Sequence, residues 1–123
     1  MTKKKILAVD DDPVTLKLLA QHLTDAGYRV LKAENGSEAI ATAKTEQPDL
    51  ILLDITMPGL DGGETAQGLK KSPLTKYIPI IFLTGIISKD EEKATENIIG
   101  GNFFIAKPYE REKLLALIRR NIV

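Results

Sequence analysis

The chain has no cysteine, no tryptophan and a single histidine, His22. Without cysteine there is no disulfide framework, no thiolate nucleophile and no cysteine zinc site. That composition suits a reducing cytoplasm, the compartment expected for this chain. One isolated histidine leaves no histidine cluster for a transition metal. Neither sign of charge is in excess: 17 lysines and arginines balance 17 aspartates and glutamates. Nothing therefore points to nucleic acid or to an anionic membrane surface as a partner. No apolar run approaches the length of a membrane span. The basic start, Met1-Thr2-Lys3-Lys4-Lys5, is followed by only Ile6 to Val9 before three aspartates, too short an apolar core for a signal peptide. The length of 123 residues fits one domain, residues 1–123, with a full hydrophobic core.

What is present is a repeated alternation of short apolar runs with helical patterns. Ile6 to Val9 read as a buried strand. Asp12 and Pro13 suit the cap and first position of a helix that buries Leu16, Leu19, Ala20 and Leu23 and ends at Gly27. Tyr28 to Ala33 read as a second strand. Asn35 and Glu38 stand at capping-box spacing before a helix carrying Ala39, Ile40 and Ala43 inward and stopping before Pro48. Leu50 to Leu53 show no polar alternation, as expected of a strand buried on both faces. Gly62 to Lys71 is a weak third helix, closed by Ser72-Pro73. Ile80 to Leu83 is a fourth strand. Ser88 opens a fourth helix expected to run to Gly100-Gly101. Phe103 to Ala106 is a fifth strand, and about Glu110 to Asn121 a last helix burying Leu114, Leu115, Leu117 and Ile118. Crossovers this short imply an α/β fold, a parallel sheet with helices on both faces.

Polar residues recur where the strands end. Asp10-Asp11-Asp12 follow the first strand, Asp54 the third, Thr84 the fourth and Lys107 the fifth. Parallel strands bring their carboxyl ends to one edge, the edge where open α/β sheets bind ligands. Clustered carboxylates repel, and a bound cation removes that cost. Oxygen-only ligands favour a hard ion such as Mg²⁺. An ammonium and a hydroxyl beside it suit phosphoryl oxygens. Asp54 then reads as a nucleophile that becomes an acyl phosphate, needing no general base because a carboxylate is already ionised at neutral pH. The competing structural reading makes the aspartate run and Asp54 helix caps, Thr84 a strand-end hydroxyl and Lys107 a surface residue.

Val9-Asp10-Asp11-Asp12-Pro13, Leu53-Asp54-Ile55-Thr56-Met57-Pro58-Gly59-Leu60-Asp61-Gly62, Phe82-Leu83-Thr84-Gly85 and Phe104-Ile105-Ala106-Lys107-Pro108 together resemble the receiver domain of two-component response regulators, over the whole chain and in order. The resemblance implies a doubly wound five-stranded parallel sheet of order 2-1-3-4-5, a flavodoxin-like three-layer sandwich. It implies a phosphorylation-dependent switch with Asp54 as phosphoacceptor, fed by a sensor histidine kinase, a histidine phosphotransfer protein or a small phosphodonor. Asp11 is implied as the more direct Mg²⁺ ligand, with Asp10, Asp54 and the Thr56 backbone carbonyl completing the protein's share. Thr84 and Lys107 match the phosphoryl-binding hydroxyl and ammonium, and Lys107–Pro108 the position of a cis peptide bond. Phe104 matches the aromatic switch position, often tyrosine, and without a hydroxyl it is expected to be buried before phosphorylation. The face of the predicted fourth helix, fifth strand and last helix is implied as the contact for an effector domain or dimer partner. Such a domain is no enzyme toward other substrates, catalysing only its own phosphorylation and autodephosphorylation.

A rival from another class is an aspartyl-phosphate phosphatase of the haloacid dehalogenase type, with Asp10 as nucleophile in Asp10-Asp11-Asp12. It leaves Asp54 without a role, and the chain lacks a late acidic pair. A third reading is a phosphate-independent interaction module on the same fold. His22 is expected to be a partly exposed residue of the first helix, away from the strand ends.

Overall fold

A computed structural model describes residues 3–54, 62–84, 98–99, 102–106 and 110–122. In chain order the elements are β1 (Lys5–Val9), α1 (Pro13–Asp25), β2 (Arg29–Ala33), α2 (Gly36–Glu46), β3 (Leu50–Asp54), α3 (Gly62–Lys71), β4 (Ile80–Thr84), β5 (Ile98–Ile99), β6 (Asn102–Ala106) and α4 (Arg111–Asn121).

Local chemistry sets the helix limits. Asp12 caps α1, one carboxylate oxygen accepting from the Val14 N–H (3.1 Å) and the other from the Thr15 hydroxyl (2.6 Å), while Pro13 occupies the first turn. The chain leaves α1 through Gly27 at φ +99°, a conformation that L side chains rarely adopt. Asn35 caps α2 by accepting the Glu38 N–H (2.8 Å), and Gln47 closes it in the left-handed region at φ 50° ahead of Pro48. At the end of α3 the buried Thr75 hydroxyl donates to the Leu69 carbonyl (2.6 Å), satisfying one of the orphan acceptors of a helix C-terminus.

The sheet runs β2-β1-β3-β4-β6-β5, with β1–β2, β1–β3, β3–β4 and β4–β6 all parallel. β6 is the predicted fifth strand, so the expected order 2-1-3-4-5 holds for the parallel part. The departure is at the edge. Ile98–Ile99, expected to close a helix, pairs antiparallel with β6 through Ile98↔Phe103 and Ile99↔Asn102. Two β-branched residues followed by Gly-Gly form a hairpin signal as readily as a helix end. The rest of the helix expected from Ser88 lies outside the described residues.

Two cores flank the sheet. On one face Ile6, Ala8, Leu50, Leu52, Ile81, Leu83 and Ile105 meet Leu16, Leu19 and Leu23 of α1 and Leu114, Leu115, Leu117 and Ile118 of α4. On the other, Leu7, Val9, Ile51, Leu53 and Phe82 meet Ala39 and Ala43 of α2 and Ala66 and Leu69 of α3. That is the expected three-layer α/β sandwich. Every residue of β3 is buried, which is why its sequence shows no alternation. Its four apolar side chains, Leu50 to Leu53, each contribute about 1.5–3 kcal/mol on leaving water, so β3 anchors both cores. Among the described residues no helix is long and apolar enough to cross a membrane.

Candidate functional site

The carboxylates meet because of strand parity. Asp10 continues the series Ile6 and Ala8, and Asp54 continues Leu50 and Leu52, all on the α1/α4 side of the sheet. The parallel register Val9↔Leu53 sets Asp10 level with Asp54 on the neighbouring strand, and adjacent strands lie about 4.8 Å apart. Both side chains are enclosed, Asp10 with 1% and Asp54 with 3% of its surface accessible.

The three consecutive aspartates do different work. The Asp10 N–H donates to the Ala33 carbonyl (3.2 Å), tying the end of β1 to β2, and its Oδ1 accepts the Asp12 N–H (3.0 Å), shaping the turn into α1. Asp11, at the bend between them, is exposed. Asp12 caps α1. Asp10, Asp11 and Asp54 each bring one carboxylate oxygen within 4.8 Å of the others. The helix-cap reading therefore holds for Asp12 and not for its two predecessors.

Three carboxylates at this spacing repel in a partly water-excluded site, and a divalent cation would offset the repulsion. Ligand oxygens on an octahedral magnesium lie about 3.0 Å apart when adjacent and about 4.2 Å when opposite. Three oxygens within 4.8 Å of one another are therefore close enough to share one hard cation, and two buried carboxylates plus one exposed leave a water-facing side for further ligands.

Thr84 ends β4 directly after Leu83, the register partner of Asp54, and is paired with Ala106. Phe104 lies on β6 opposite Phe82. The backbone thus brings Thr84 to the same edge as the acids and leaves Phe104 mid-strand, level with Leu53, while the Thr84 and Phe104 side chains lie outside what is described. So do Thr56, Lys107 and the Lys107–Pro108 bond. His22 is half-buried in the last turn of α1. Ten residues past the cap, it is about 15 Å along the helix from Asp12, and it does not join the site. Sequence reasoning missed the Asp10 carboxylate as an organiser of the β1–α1 turn; an aspartate two residues ahead of a helix cap is the signal that could have shown it.

Comparison with known proteins gives a consistent picture. A family model described as response regulator receiver domain matches residues 6–119. The PilH protein of Pseudomonas aeruginosa is 40% identical over 116 residues, covering 93% of this chain and 93% of that protein. The phosphate regulon transcriptional regulatory protein PhoB of the same organism is 40% identical over 119 residues, 97% of this chain and 52% of PhoB, so the chain spans about half of that relative. Among solved structures, Vibrio cholerae chemotaxis protein CheY4 superposes with a TM-score of 0.84 at 33% identity, covering 98% of this chain and 100% of that one. The receiver domain of a sensor histidine kinase from Pseudomonas aeruginosa PAO1, described with magnesium coordinated in its active-site cleft, gives a TM-score of 0.84 at 30% identity, covering 98% of each chain. None of these supports the haloacid dehalogenase reading, which is set aside. Strand order, acidic cluster and relatives agree: this chain belongs to the response regulator receiver domains of two-component signalling.

Proposed function

We propose that Asp54 is the phosphoacceptor of this receiver and that Asp10 and Asp11 hold a magnesium ion beside it. The observation that carries the reading is the enclosure of Asp54 at the end of β3 with one oxygen each from Asp10 and Asp11 within 4.8 Å. An Asp54 carboxylate oxygen attacks phosphorus, the bond from phosphorus to the donor's imidazole nitrogen or leaving oxygen breaks, and an acyl phosphate forms. Magnesium, when bound, neutralises charge on the phosphoryl oxygens. The relative described with magnesium in its cleft supports that choice of ion.

The remaining roles rest on position and resemblance. Thr56 lends its backbone carbonyl to the metal, Thr84 donates its hydroxyl to the phosphoryl group, and Lys107 supplies an ammonium to it. Thr84 and Phe104 form the switch, with Phe104 already buried before phosphorylation. The donor is a sensor histidine kinase or a histidine phosphotransfer protein in the cytoplasm. The output passes to an effector domain or a second copy through the face of β6, α4 and the helix expected from Ser88. The chain acts as a signalling switch and catalyses only its own phosphorylation and dephosphorylation.

The test is direct. With Mg²⁺ and acetyl phosphate, intact-mass spectrometry should show one added phosphoryl group, labile in base. Asp54→Asn should not label. Labelling of that variant at the wild-type rate, or a phosphoryl group mapped to Asp10, would overturn the assignment. Lys107→Ala should still label while losing the phosphorylation-dependent change in hydrogen exchange.

A further inference from the structure

Asn35 is the asparagine of this chain that is followed by glycine. Such a pair is chemically labile. The glycine backbone nitrogen attacks the asparagine side-chain carbonyl carbon, ammonia leaves, and a succinimide ring forms. Water then opens one of the two ring carbonyls, giving aspartate or isoaspartate. Glycine permits the attack because no Cβ crowds the nitrogen.

The fold opposes this reaction at both ends of the residue. The Asn35 side chain is exposed to water, yet its Oδ1 accepts the Glu38 N–H at 2.8 Å. Its backbone carbonyl accepts the Ala39 N–H at 3.0 Å. Gly36, the first residue of α2, is buried. Ring closure requires the side-chain carbonyl carbon to fold back over the Gly36 nitrogen, whereas the cap holds it forward across the first turn of the helix.

We infer that Asn35–Gly36 is a deamidation site gated by the α2 cap, closed while Asn35 holds the Glu38 amide and open when the first turn frays. The two products are not equivalent. Aspartate at position 35 keeps an acceptor oxygen and is a preferred N-cap, so α2 survives. Isoaspartate adds a methylene to the main chain and displaces the cap. The site lies two residues past Ala33, the last residue of β2, whose carbonyl accepts the Asp10 N–H.

The experiment follows loss of the Asn35 amide by peptide mapping at mildly alkaline pH, for the full chain in buffer and in guanidinium. The denatured chain should convert to both products. The folded chain should react at least about tenfold more slowly, the protection given by an opening free energy of about 1.4 kcal/mol. Glu38→Pro removes the N–H that Asn35 accepts, at a first-turn position where proline is tolerated. It should deamidate faster than wild type in buffer. Asn35→Asp should match the wild-type melting temperature, and Asn35→Ala should fall below it, which reads the cap even if Glu38→Pro does not fold. Equal rates in buffer and guanidinium, no reaction at Asn35 in guanidinium, or an Asn35→Asp melting temperature as low as that of Asn35→Ala would each overturn the inference.

Discussion

At the scale of single residues, Asp10 serves two ends that pull against each other. Its charge sits beside two other carboxylates, and its Oδ1 holds the Asp12 N–H that starts α1. Comparing Asp10→Asn with Asp10→Ala separates the two. Both variants remove the negative charge, so relief of repulsion cancels between them; only asparagine keeps an acceptor oxygen. In metal-free buffer Asp10→Asn should be more stable than Asp10→Ala by about 1–2 kcal/mol, the range for a hydrogen bond and the group it leaves unpartnered. Urea titration measures it, and coincident transitions would show that the bond to Asp12 does not organise the turn. The identity of the acids was legible in the sequence, because each follows an apolar strand run. Their division of labour was not. Three consecutive aspartates look alike until strand parity turns Asp10 toward Asp54, the bend exposes Asp11 and the helix recruits Asp12.

At the scale of elements, caps and apolar spacing made α1, α2 and α4 readable, since each signal is local: Asp12-Pro13, Asn35 with Glu38, and Leu114, Leu115, Leu117 and Ile118 on one face. Two features escaped. One is the pairing of Ile98–Ile99 with β6, where two β-branched residues before Gly-Gly read as a hairpin as readily as a helix end. The other is Gly68. The sequence marks it only as a weakness in α3, yet a Cβ there would stand 2.8 Å from Cδ1 and 3.7 Å from Cγ1 of Ile40 on α2. Glycine thus lets the two helices approach, at a propensity cost of about 1 kcal/mol relative to alanine. Ile40 is half-buried and its Cδ1 is the movable end of the side chain, so the clash is relieved by rotation at a cost of roughly 0.5–1.5 kcal/mol. The two effects nearly cancel, and Gly68→Ala alone should change stability by little. In an Ile40→Val background, which lacks Cδ1, the same substitution should stabilise by about 1 kcal/mol. A double-mutant cycle with no coupling would show that the close approach is not what glycine serves.

At the scale of the whole molecule, the two cores and the acidic edge are thermodynamically opposed. Burial on both faces of β3 stabilises the sheet, and the sheet's register in turn forces Asp10, Asp11 and Asp54 together. In the unfolded chain Asp54 is remote from the other two, and the cluster does not exist. A divalent cation held by this cluster would bind the folded state and not the unfolded one, and would raise stability by mass action. At about one hundred times its dissociation constant the gain is roughly 2.7 kcal/mol, enough to move the melting temperature by several degrees. Sodium chloride at equal ionic strength screens the same repulsion without bridging the oxygens, so it should do less. Asp11→Ala distinguishes a bound ion from general screening. Asp11 is exposed and its removal takes one charge from the cluster, so the metal-free variant should melt no lower than wild type while losing most of the response to magnesium. Thermal unfolding followed by circular dichroism, with magnesium, with matched sodium chloride and with EDTA, gives all the comparisons. If sodium matches magnesium, or if Asp11→Ala keeps the full magnesium response, the acidic edge is a screened surface and not a metal site. If instead the response vanishes with Asp11 while the metal-free protein stays as stable as before, the fold is holding repelling charges together for the ion they bind.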